Sequence, residues 1–441
     1  EVYYGTLSRW CEAHGIGLMG HPHQSDDIEV EKYFAVPGQD LVLRWLAPEK
    51  DGLAGIASTM AKCSADAARL MHRRRNANEC FGACNKDDNP WQLSGGDIKW
   101  YTDWLAVRGV NLFIPHAFYY SICGKRKDER PPDVGPHSIW WAHYEAWSTY
   151  WRRLSWLMTD IDLHAEAAVL CRNRDLCPDT VRPLFERQIG FQYIPESYFP
   201  ACTVEDGALW LHGHRYTAVL GDKALFPDAA HPEVSALEPD CRCDPPQPML
   251  RCASFNKEGR ACWLLVNEGN TPIKTRLTLP VDAPLCRYDL WNGQPCACPA
   301  ERTAKGACLP LELPARGSLL LFTCTVRESE ALPLPPTYLS LAAPAFALSD
   351  EDAAHLTKTY RATLQITATE LQTATPLLTL PGQEMAELTV NGQPAGVSFW
   401  PPHKFPLAGL LTPGENTLTL TLTGSPANRY GKHPVPYGLE R

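Results

Sequence analysis

The sequence predicts a chain of several domains, in which a (β/α)8-type barrel precedes two β-sandwich domains. Helix-like segments and short apolar segments alternate from residue 1 to about 220, which is typical of an α/β fold with parallel strands. From about 245 the apolar residues recur with period two, which indicates strands of antiparallel sheets. The 441 residues also exceed what one compact domain usually holds. The expected parts are a barrel over 1–240, a sandwich over 245–326, a Pro-rich linker over 327–352 and a second sandwich over 353–441.

The first part contains six segments with the character of short buried strands. They are predicted at 15–21, up to residue 79, and at 111–116, 166–171, 191–196 and 216–221. Four of these segments end in the polar residues His21, Glu79, His116 and Glu196. In barrels the active site lies at the carboxyl ends of the parallel strands. A complete barrel has eight strands, so we infer that two units precede residue 1 and that the barrel is truncated.

Helices are predicted between these strands, where apolar residues recur three and four positions apart. The pattern is present at 4–14, 56–70, 97–107 and 137–160. Gly15 is a suitable C-cap for the first of these helices, and Asp97 a suitable N-cap for the third.

The composition of the chain argues against a nucleic-acid partner and against a membrane partner. The net charge of −9 is spread along the chain without a long basic block, so we expect no nucleic-acid partner. No run of about 18 apolar residues occurs, so we expect no membrane partner. The 17 cysteines are scattered, which favours reduced thiols and a cytoplasmic location over secretion with disulfides. The sequence does not predict an oligomeric state.

The two all-β parts carry motifs that resemble known domains. The last part contains, in order, 386–392 (AELTVNG), Gly396, 400–402 (WPP), 413–416 (PGEN) and Asn428-Arg429. This series resembles the jelly-roll, galactose-binding-like domain of family 2 glycoside hydrolases. The middle part, with 265–268 (LVNE) and 288–293 (YDLWNG), is similar to the sandwich that follows the barrel in large family 2 and family 106 enzymes. The order of the three parts, together with 111–121 (NLFIPHAFYYS), resembles the family 106 α-L-rhamnosidases.

The resemblance implies a glycoside hydrolase that removes terminal sugars from plant or microbial glycans or glycosides, with a carbohydrate as its partner. Family 106 enzymes invert the anomeric centre and are calcium-dependent, so Ca²⁺ is the one cofactor that the resemblance suggests. The adjacent Asp87, Asp88 and Asn89 offer oxygen ligands, although such a cluster is usually a solvated turn. Two alternatives stay open: a family 2-like retaining β-glycosidase, and a carbohydrate-binding fragment without catalysis.

Cleavage of a glycosidic bond usually requires two carboxyl groups, and Glu79 is the first candidate. It follows Asn78 at a predicted strand end, a pair that resembles the acid/base motif of many retaining sugar-cleaving barrels. We therefore predict Glu79 as the general acid and Asn78 as a substrate-binding residue. The structural alternative is an ion pair between Glu79 and Arg74 or Arg75.

Glu196 is the candidate for the second carboxylate. It ends the predicted strand 191–196, three strands after Glu79, which is the usual spacing between an acid/base and its partner in such barrels. It would act as a base in an inverting enzyme or as a nucleophile in a retaining one. Asp26, Asp27 and Glu145 are rivals, and an ordinary loop glutamate is the structural alternative.

Further polar and aromatic residues are predicted to bind the substrate. They are His21, His23, Asp26, His116, Tyr119 and Tyr120. A histidine at a barrel strand end can donate a hydrogen bond to a sugar oxygen, and tyrosine rings can stack on a pyranose. The 21–23 segment (HPH) is a weak metal signal with no third ligand in sight, so no metal ligand is predicted. Packing inside the fold is the structural alternative for His21 and His23.

Overall fold

The computed structural model describes residues 1–42, 46, 53, 55–84, 88–129, 131–382 and 384–439. Two compact units divide the chain. The first consists of Glu1–Cys80, Trp100–Pro115 and Glu145–Leu334, and the second of Phe81–Lys99, His116–Tyr144 and Pro335–Arg441.

Helices occur in the first half of the chain where the spacing of apolar residues predicts them, and further short helices follow in the second half. In chain order they are α1 (Tyr4–Ala13), α2 (Ala57–Met60), α3 (Lys62–Leu70), α4 (Gly95–Ala106), α5 (Tyr144–Leu157), α6 (Pro178–Glu186), α7 (Val326–Ala331), α8 (Ala368–Thr373) and α9 (Ala427–Tyr430). Helix α4 begins earlier than predicted because Ser94 is its cap. The Asp97 backbone N–H donates to Ser94 Oγ at 3.1 Å, and Asp97 Oδ2 accepts from the Ser94 N–H at 3.2 Å. Asp97 is therefore the third helical residue of a capping arrangement and not the cap itself.

The α/β part of the first unit forms three small sheets. Its strands are β1 (Met19–Gly20), β2 (Val36–Asp40), β3 (Ala77–Cys80), β4 (Leu112–Pro115), β5 (Asp162–Leu163), β6 (Ala167–Cys171), β7 (Phe191–Pro195), β8 (Thr203–Glu205), β9 (Ala208–Leu211), β10 (His214–Tyr216) and β11 (Ala218–Leu220). A four-stranded sheet has the order β1-β2-β3-β4 and a three-stranded sheet the order β11-β6-β7. The pairs within both sheets are parallel. The third sheet, β10-β9-β8, is antiparallel.

This topology corrects the predicted strand count. The six predicted strands do not belong to one sheet, because β3 and β7 lie in different parallel sheets. Strand β2, which was not predicted, lies between β1 and β3. Local apolar patterns identify strands but not their neighbours, since pairing depends on contacts that are distant in the sequence. A closed barrel stays a prediction.

The rest of the first unit consists of two antiparallel sheets. Its strands are β12 (Arg242–Asp244), β13 (Leu250–Lys257), β14 (Arg260–Asn267), β15 (Ile273–Leu279), β16 (Leu285–Asp289), β17 (Gln294–Cys298), β18 (Glu301–Thr303), β19 (Gly306–Leu313) and β20 (Ser318–Thr323). The sheets have the orders β12-β15-β19-β18 and β17-β16-β20-β14-β13-β5. Apolar residues from both, including Leu265, Leu277, Leu309 and Leu321, form one buried cluster. The predicted period-two pattern thus corresponds to strands with one face in a shared core.

The second unit contains the last eight strands. They are β21 (Tyr338–Leu341), β22 (Ala347–Asp352), β23 (Thr357–Ile366), β24 (Thr375–Leu380), β25 (Met385–Val390), β26 (Gln393–Ser398), β27 (His403–Pro406) and β28 (Gly414–Thr423). The sheets have the orders β21-β24-β27 and β22-β23-β28-β25-β26. Strands β21 and β22 lie within 327–352, so this stretch, predicted as a linker, pairs with the sheets of the unit. The jelly-roll topology and the other domain boundaries stay predictions.

Among the described residues, no helix has both the length and the apolar character needed to cross a membrane.

Candidate active site

The parallel sheet β1-β2-β3-β4 brings three polar side chains together at one edge. His21 directly follows β1, Asp40 is the last residue of β2, and Glu79 lies near the end of β3. Asp40 and Glu79 are register partners in the parallel pairing of their strands. Side chains alternate between the two faces along a strand, so partners in register point to the same face of the sheet.

The three side chains approach each other closely. One ligand atom from each of His21, Asp40 and Glu79 can be chosen so that all three lie within 4.8 Å of one another. His21 Nε2 is 3.6 Å from Glu79 Oε2, and the two side chains are 38% and 30% exposed. The cluster is therefore held by the sheet and still reachable from solvent.

The ring nitrogens of His21 define where a proton must lie. Nδ1 is 2.9 Å from the Pro22 carbonyl oxygen, which can only accept, so Nδ1 carries the hydrogen. In the neutral ring Nε2 is then an acceptor and faces the Glu79 carboxyl group.

Hydrogen bonds from buried polar side chains hold strand β2 in place. The Gln39 amide nitrogen donates to the carbonyl oxygens of Ser25 and Met60, while its oxygen accepts from Ser64. Glu31, which is fully buried, accepts from the Gly38 N–H at 3.1 Å, and burial raises the pKa of its carboxyl group well above the ordinary value. These contacts hold the backbone that carries Asp40.

Gly38 permits the close approach of β1 and β2. A Cβ added at this position would lie 2.7 Å from the Gly20 backbone oxygen, which is closer than real Cβ atoms come. The residue is thus required by the pairing that brings His21 next to Asp40.

Asn78 faces away from this cluster. It is fully buried, and its Oδ1 accepts a hydrogen bond from the Tyr101 hydroxyl of α4 at 3.1 Å. Tyr101 also donates to the Leu41 carbonyl oxygen. Because neighbouring residues of a strand point to opposite faces, Asn78 belongs to the packing of the sheet against α4. The structure therefore does not bring Asn78 to the Glu79 carboxyl group.

Glu196 lies on a different sheet. It follows β7 and begins a short 3-10 helix, Glu196–Ala201. Its Oε1 is 3.9 Å from Arg172 Nε, and both side chains are more than half exposed. No described contact joins Glu196 to Glu79, and the pairing of these two carboxylates stays a prediction that the sheet topology does not favour.

The loop between β1 and β2 holds three further candidates, which are His23, Asp26 and Asp27. His23 is exposed, and the Asp26 backbone oxygen accepts from the Arg174 N–H at 3.1 Å. Asp27, a rival carboxylate, forms a bidentate pair with Arg174, whose hydrogen bond lowers the pKa of Asp27. Asp27 is thus engaged in anchoring this loop.

His116, Tyr119 and Tyr120 belong to the second unit. The rings of His116 and Tyr119 are in edge contact with centroids 6.5 Å apart, and the Tyr119 hydroxyl donates to the Glu129 carbonyl oxygen. Tyr120 is 97% exposed. Their predicted role in binding sugar stays a prediction.

The acidic cluster at 87–89, which offered possible oxygen ligands for Ca²⁺, makes contacts within the protein. Asp87 lies outside the described residues, Asp88 is 2.7 Å from the Lys432 ammonium, and Asn89 Oδ1 accepts from the Lys432 and His433 backbone N–H groups. The described oxygens therefore already pair with a lysine ammonium or accept backbone hydrogen bonds. The cluster of His21, Asp40 and Glu79 contributes an imidazole nitrogen, whereas Ca²⁺ takes six to eight oxygen ligands. The described oxygens of the first set are thus engaged, and the donor atoms of the second set differ from those that Ca²⁺ takes.

Asp40 is the site residue that sequence reasoning missed. Its strand reads VPGQD, and proline and glycine inside a segment argue against a strand. One signal could have identified Asp40. It is an acidic residue that lies between the predicted strands ending at His21 and Glu79.

Comparison with known proteins gives a likeness of fold. No protein family model matches the sequence, and no curated protein matches it. The rhamnosidase from Novosphingobium sp. PP1Y superposes with a TM-score of 0.67 and 13% identity, over 97% of this chain and 51% of that enzyme. The chain therefore spans about half the length of this rhamnosidase. A β-galactosidase from Bacillus circulans sp. alkalophilus matches at 10% identity over 68% of this chain and 62% of its own, with a TM-score of 0.40 that carries no argument. The resemblance to a rhamnosidase is thereby confirmed at the level of the fold.

Proposed function

We propose that the protein is a glycoside hydrolase whose catalytic carboxyl groups are Glu79 and Asp40. The observation that supports this is their in-register position at the carboxyl ends of β3 and β2, with His21 beside them. The arrangement places two carboxyl groups and one imidazole within reach of one glycosidic bond. The fold shared with a rhamnosidase supports the reaction class independently of these residues.

In this mechanism Glu79 is the general acid. A proton on the Glu79 carboxyl group passes to the glycosidic oxygen as the bond breaks, and His21 Nε2 lies 3.6 Å from this carboxyl group. The Nδ1 of His21 donates to the Pro22 carbonyl oxygen, which holds the ring with its Nε2 beside the Glu79 carboxyl group. Asp40 faces the anomeric carbon as the second carboxylate.

The separation of the carboxylates favours retention. Their nearest oxygens are no more than 4.8 Å apart, which is compatible with the roughly 5–5.5 Å that separates the two carboxyl groups of retaining enzymes. Asp40 would then attack the anomeric carbon and form a covalent glycosyl intermediate. This departs from the inversion that a family 106 resemblance implies.

The substrate that we propose is a terminal deoxyhexose of the rhamnose type, linked to a glycan or an aglycone. This finer assignment is supported by the fold likeness to a rhamnosidase. A retaining β-glycosidase is the second candidate, and the short distance between Asp40 and Glu79 favours it.

A panel of aryl glycosides tests both candidates. Wild-type protein is assayed on p-nitrophenyl α-L-rhamnoside and on the β-galactoside, β-glucoside and β-glucuronide, with Asp40→Asn as the active-site variant. We expect turnover of the rhamnoside and its loss in Asp40→Asn. Turnover of only a β-glycoside supports the second candidate, and wild-type inactivity on all substrates argues against hydrolysis. Proton NMR of the first-formed anomer then separates retention from inversion.

A further inference from the structure

The strongest unassigned feature is a pair of buried cysteines in the antiparallel part of the first unit. Cys286 lies on β16 and Cys324 directly follows β20, the neighbouring strand. Their Sγ atoms are 2.7 Å apart. Unbonded sulfur atoms rarely come this close, and a disulfide bond is only about 0.7 Å shorter, with an S–S length of roughly 2.05 Å.

The backbone holds the two cysteines in place. Cys286 is the register partner of Phe322, and the Cys324 N–H donates to the Pro284 carbonyl oxygen at 2.9 Å. Ladder hydrogen bonds on one side and this additional bond on the other therefore fix both Cα positions. Approach of the sulfur atoms requires small rotations of two side chains and no rearrangement of the strands.

The position of Cys324 gives the bond a structural consequence. The next residue, Thr325, caps α7 through a reciprocal arrangement with Glu328, which also pairs with Arg260 of β14. A bond between Cys286 and Cys324 would fasten the end of β20, and with it the start of α7, to β16. It would close a loop of 38 residues, since 324 minus 286 is 38.

We propose that Cys286 and Cys324 form a structural disulfide when the protein meets a low-molecular-weight disulfide of the oxidised glutathione class. Each cysteine loses its thiol proton and one electron, and the two sulfur atoms become bonded. The two electrons cleave the S–S bond of the oxidant, and the two protons yield two reduced glutathione thiols. The pair thus constitutes a modification site that depends on the redox state of the surroundings.

Burial sets the rate of this reaction. Cys286 is fully buried and Cys324 is 7% exposed. Burial raises the pKa of the Cys286 thiol to about 12, so its thiolate is scarce near neutral pH. Exchange is therefore expected to be slow at pH 7 and faster at pH 9.

The test compares native protein before and after equilibration with oxidised glutathione at pH 8.5. Free thiols are alkylated in denaturant, and the protein is digested without reduction for mass spectrometry. We expect a peptide pair linked through Cys286 and Cys324 in the oxidised sample, and none after treatment with dithiothreitol. The proposal is overturned if both residues remain alkylated after oxidation, or if either is linked instead to another cysteine of the protein.

Thermal melting provides a second readout. Closing a loop of this size should raise the melting temperature of the oxidised form by roughly 10 °C over the reduced form. Cys262→Ser is the matched control, because Cys262 is buried on β14 and its thiol contacts the Arg260 carbonyl oxygen. This control should keep the redox-dependent shift, and Cys286→Ser and Cys324→Ser should lose it. An equal shift in all four proteins would show that another pair of thiols is responsible.

Discussion

Replacement of Glu268 by glutamine should strongly destabilise the first unit. The Glu268 carboxylate is fully buried between two arginines: Arg108 Nη1 lies 2.5 Å from Oε1, and Arg251 Nε lies 3.1 Å from Oε2. Both guanidinium groups are almost completely buried, and that of Arg108 also packs on the Trp104 ring at 4.0 Å. Glutamine keeps the shape of the side chain and removes the only negative charge that the described contacts place between them.

The expected magnitude follows from the cost of leaving a buried charge uncompensated. Breaking a buried ion pair by removing one partner costs about 3–5 kcal/mol. For a unit of this size, 1 kcal/mol corresponds to about 2–4 °C in melting temperature, so the variant should melt roughly 10 °C lower. Circular dichroism at 222 nm during heating measures the shift. Glu312→Gln is the matched control, since Glu312 pairs with Lys274 on the exposed surface and should melt within about 2 °C of wild type. A Glu268→Gln protein that melts as late as this control would refute the reasoning.

Two further predictions concern the same unit. The Asp240 carboxylate, 2.6 Å from His164 Nδ1, raises the pKa of His164. The His164–Asp240 pair therefore stabilises the fold fully at pH values below about 6.5, the pKa of histidine in the unfolded chain. This stabilisation is lost as the pH rises through the higher pKa that His164 has in the folded protein. Melting temperatures from pH 5 to 9 should fall more steeply in wild type than in His164→Gln, and parallel curves would contradict this. Gly38→Ala should cost about 1–3 kcal/mol in urea denaturation, because its Cβ would meet the Gly20 oxygen at 2.7 Å. Gly17→Ala is the control, because its Cβ would lie at an ordinary contact distance of 3.5 Å from the Ala35 Cβ, and it should unfold like wild type. Equal urea midpoints for the two variants would contradict the steric explanation.

Local signals in the sequence predicted the strand ends well. Glu79 lies on β3 and His21 directly follows β1, near the strand ends predicted for both residues. Asn78 was predicted to share the site with Glu79, yet adjacent residues of a strand point to opposite faces, and α4 covers the face of Asn78. The alternation rule was available from the sequence, but the face that each residue occupies was not.

The parts that failed depend on long-range pairing. Glu196 follows a predicted strand and Glu79 was predicted to end one, and only the observed pairing shows that β7 and β3 belong to different sheets. Asp40 escaped notice because Pro37 and Gly38 precede it, although the close approach of two backbones is the reason for that glycine. His116 and the tyrosines after it belong to the second unit, a change of unit that no compositional boundary marks.

The central claim is that Glu79, supported by His21 and Asp40, donates the proton in glycoside cleavage. The direct measurement is kcat/KM of Glu79→Gln and of Glu196→Gln on two glycosides of the sugar that wild type cleaves, one with an alkyl and one with a dinitrophenyl leaving group. Loss of general-acid catalysis should lower the value for the alkyl glycoside by about 10³-fold or more in Glu79→Gln, with a far smaller loss for the dinitrophenyl glycoside. Glu196→Gln should match wild type on both. Near-normal turnover of the alkyl glycoside by Glu79→Gln, or the large loss in Glu196→Gln instead, would contradict the assignment.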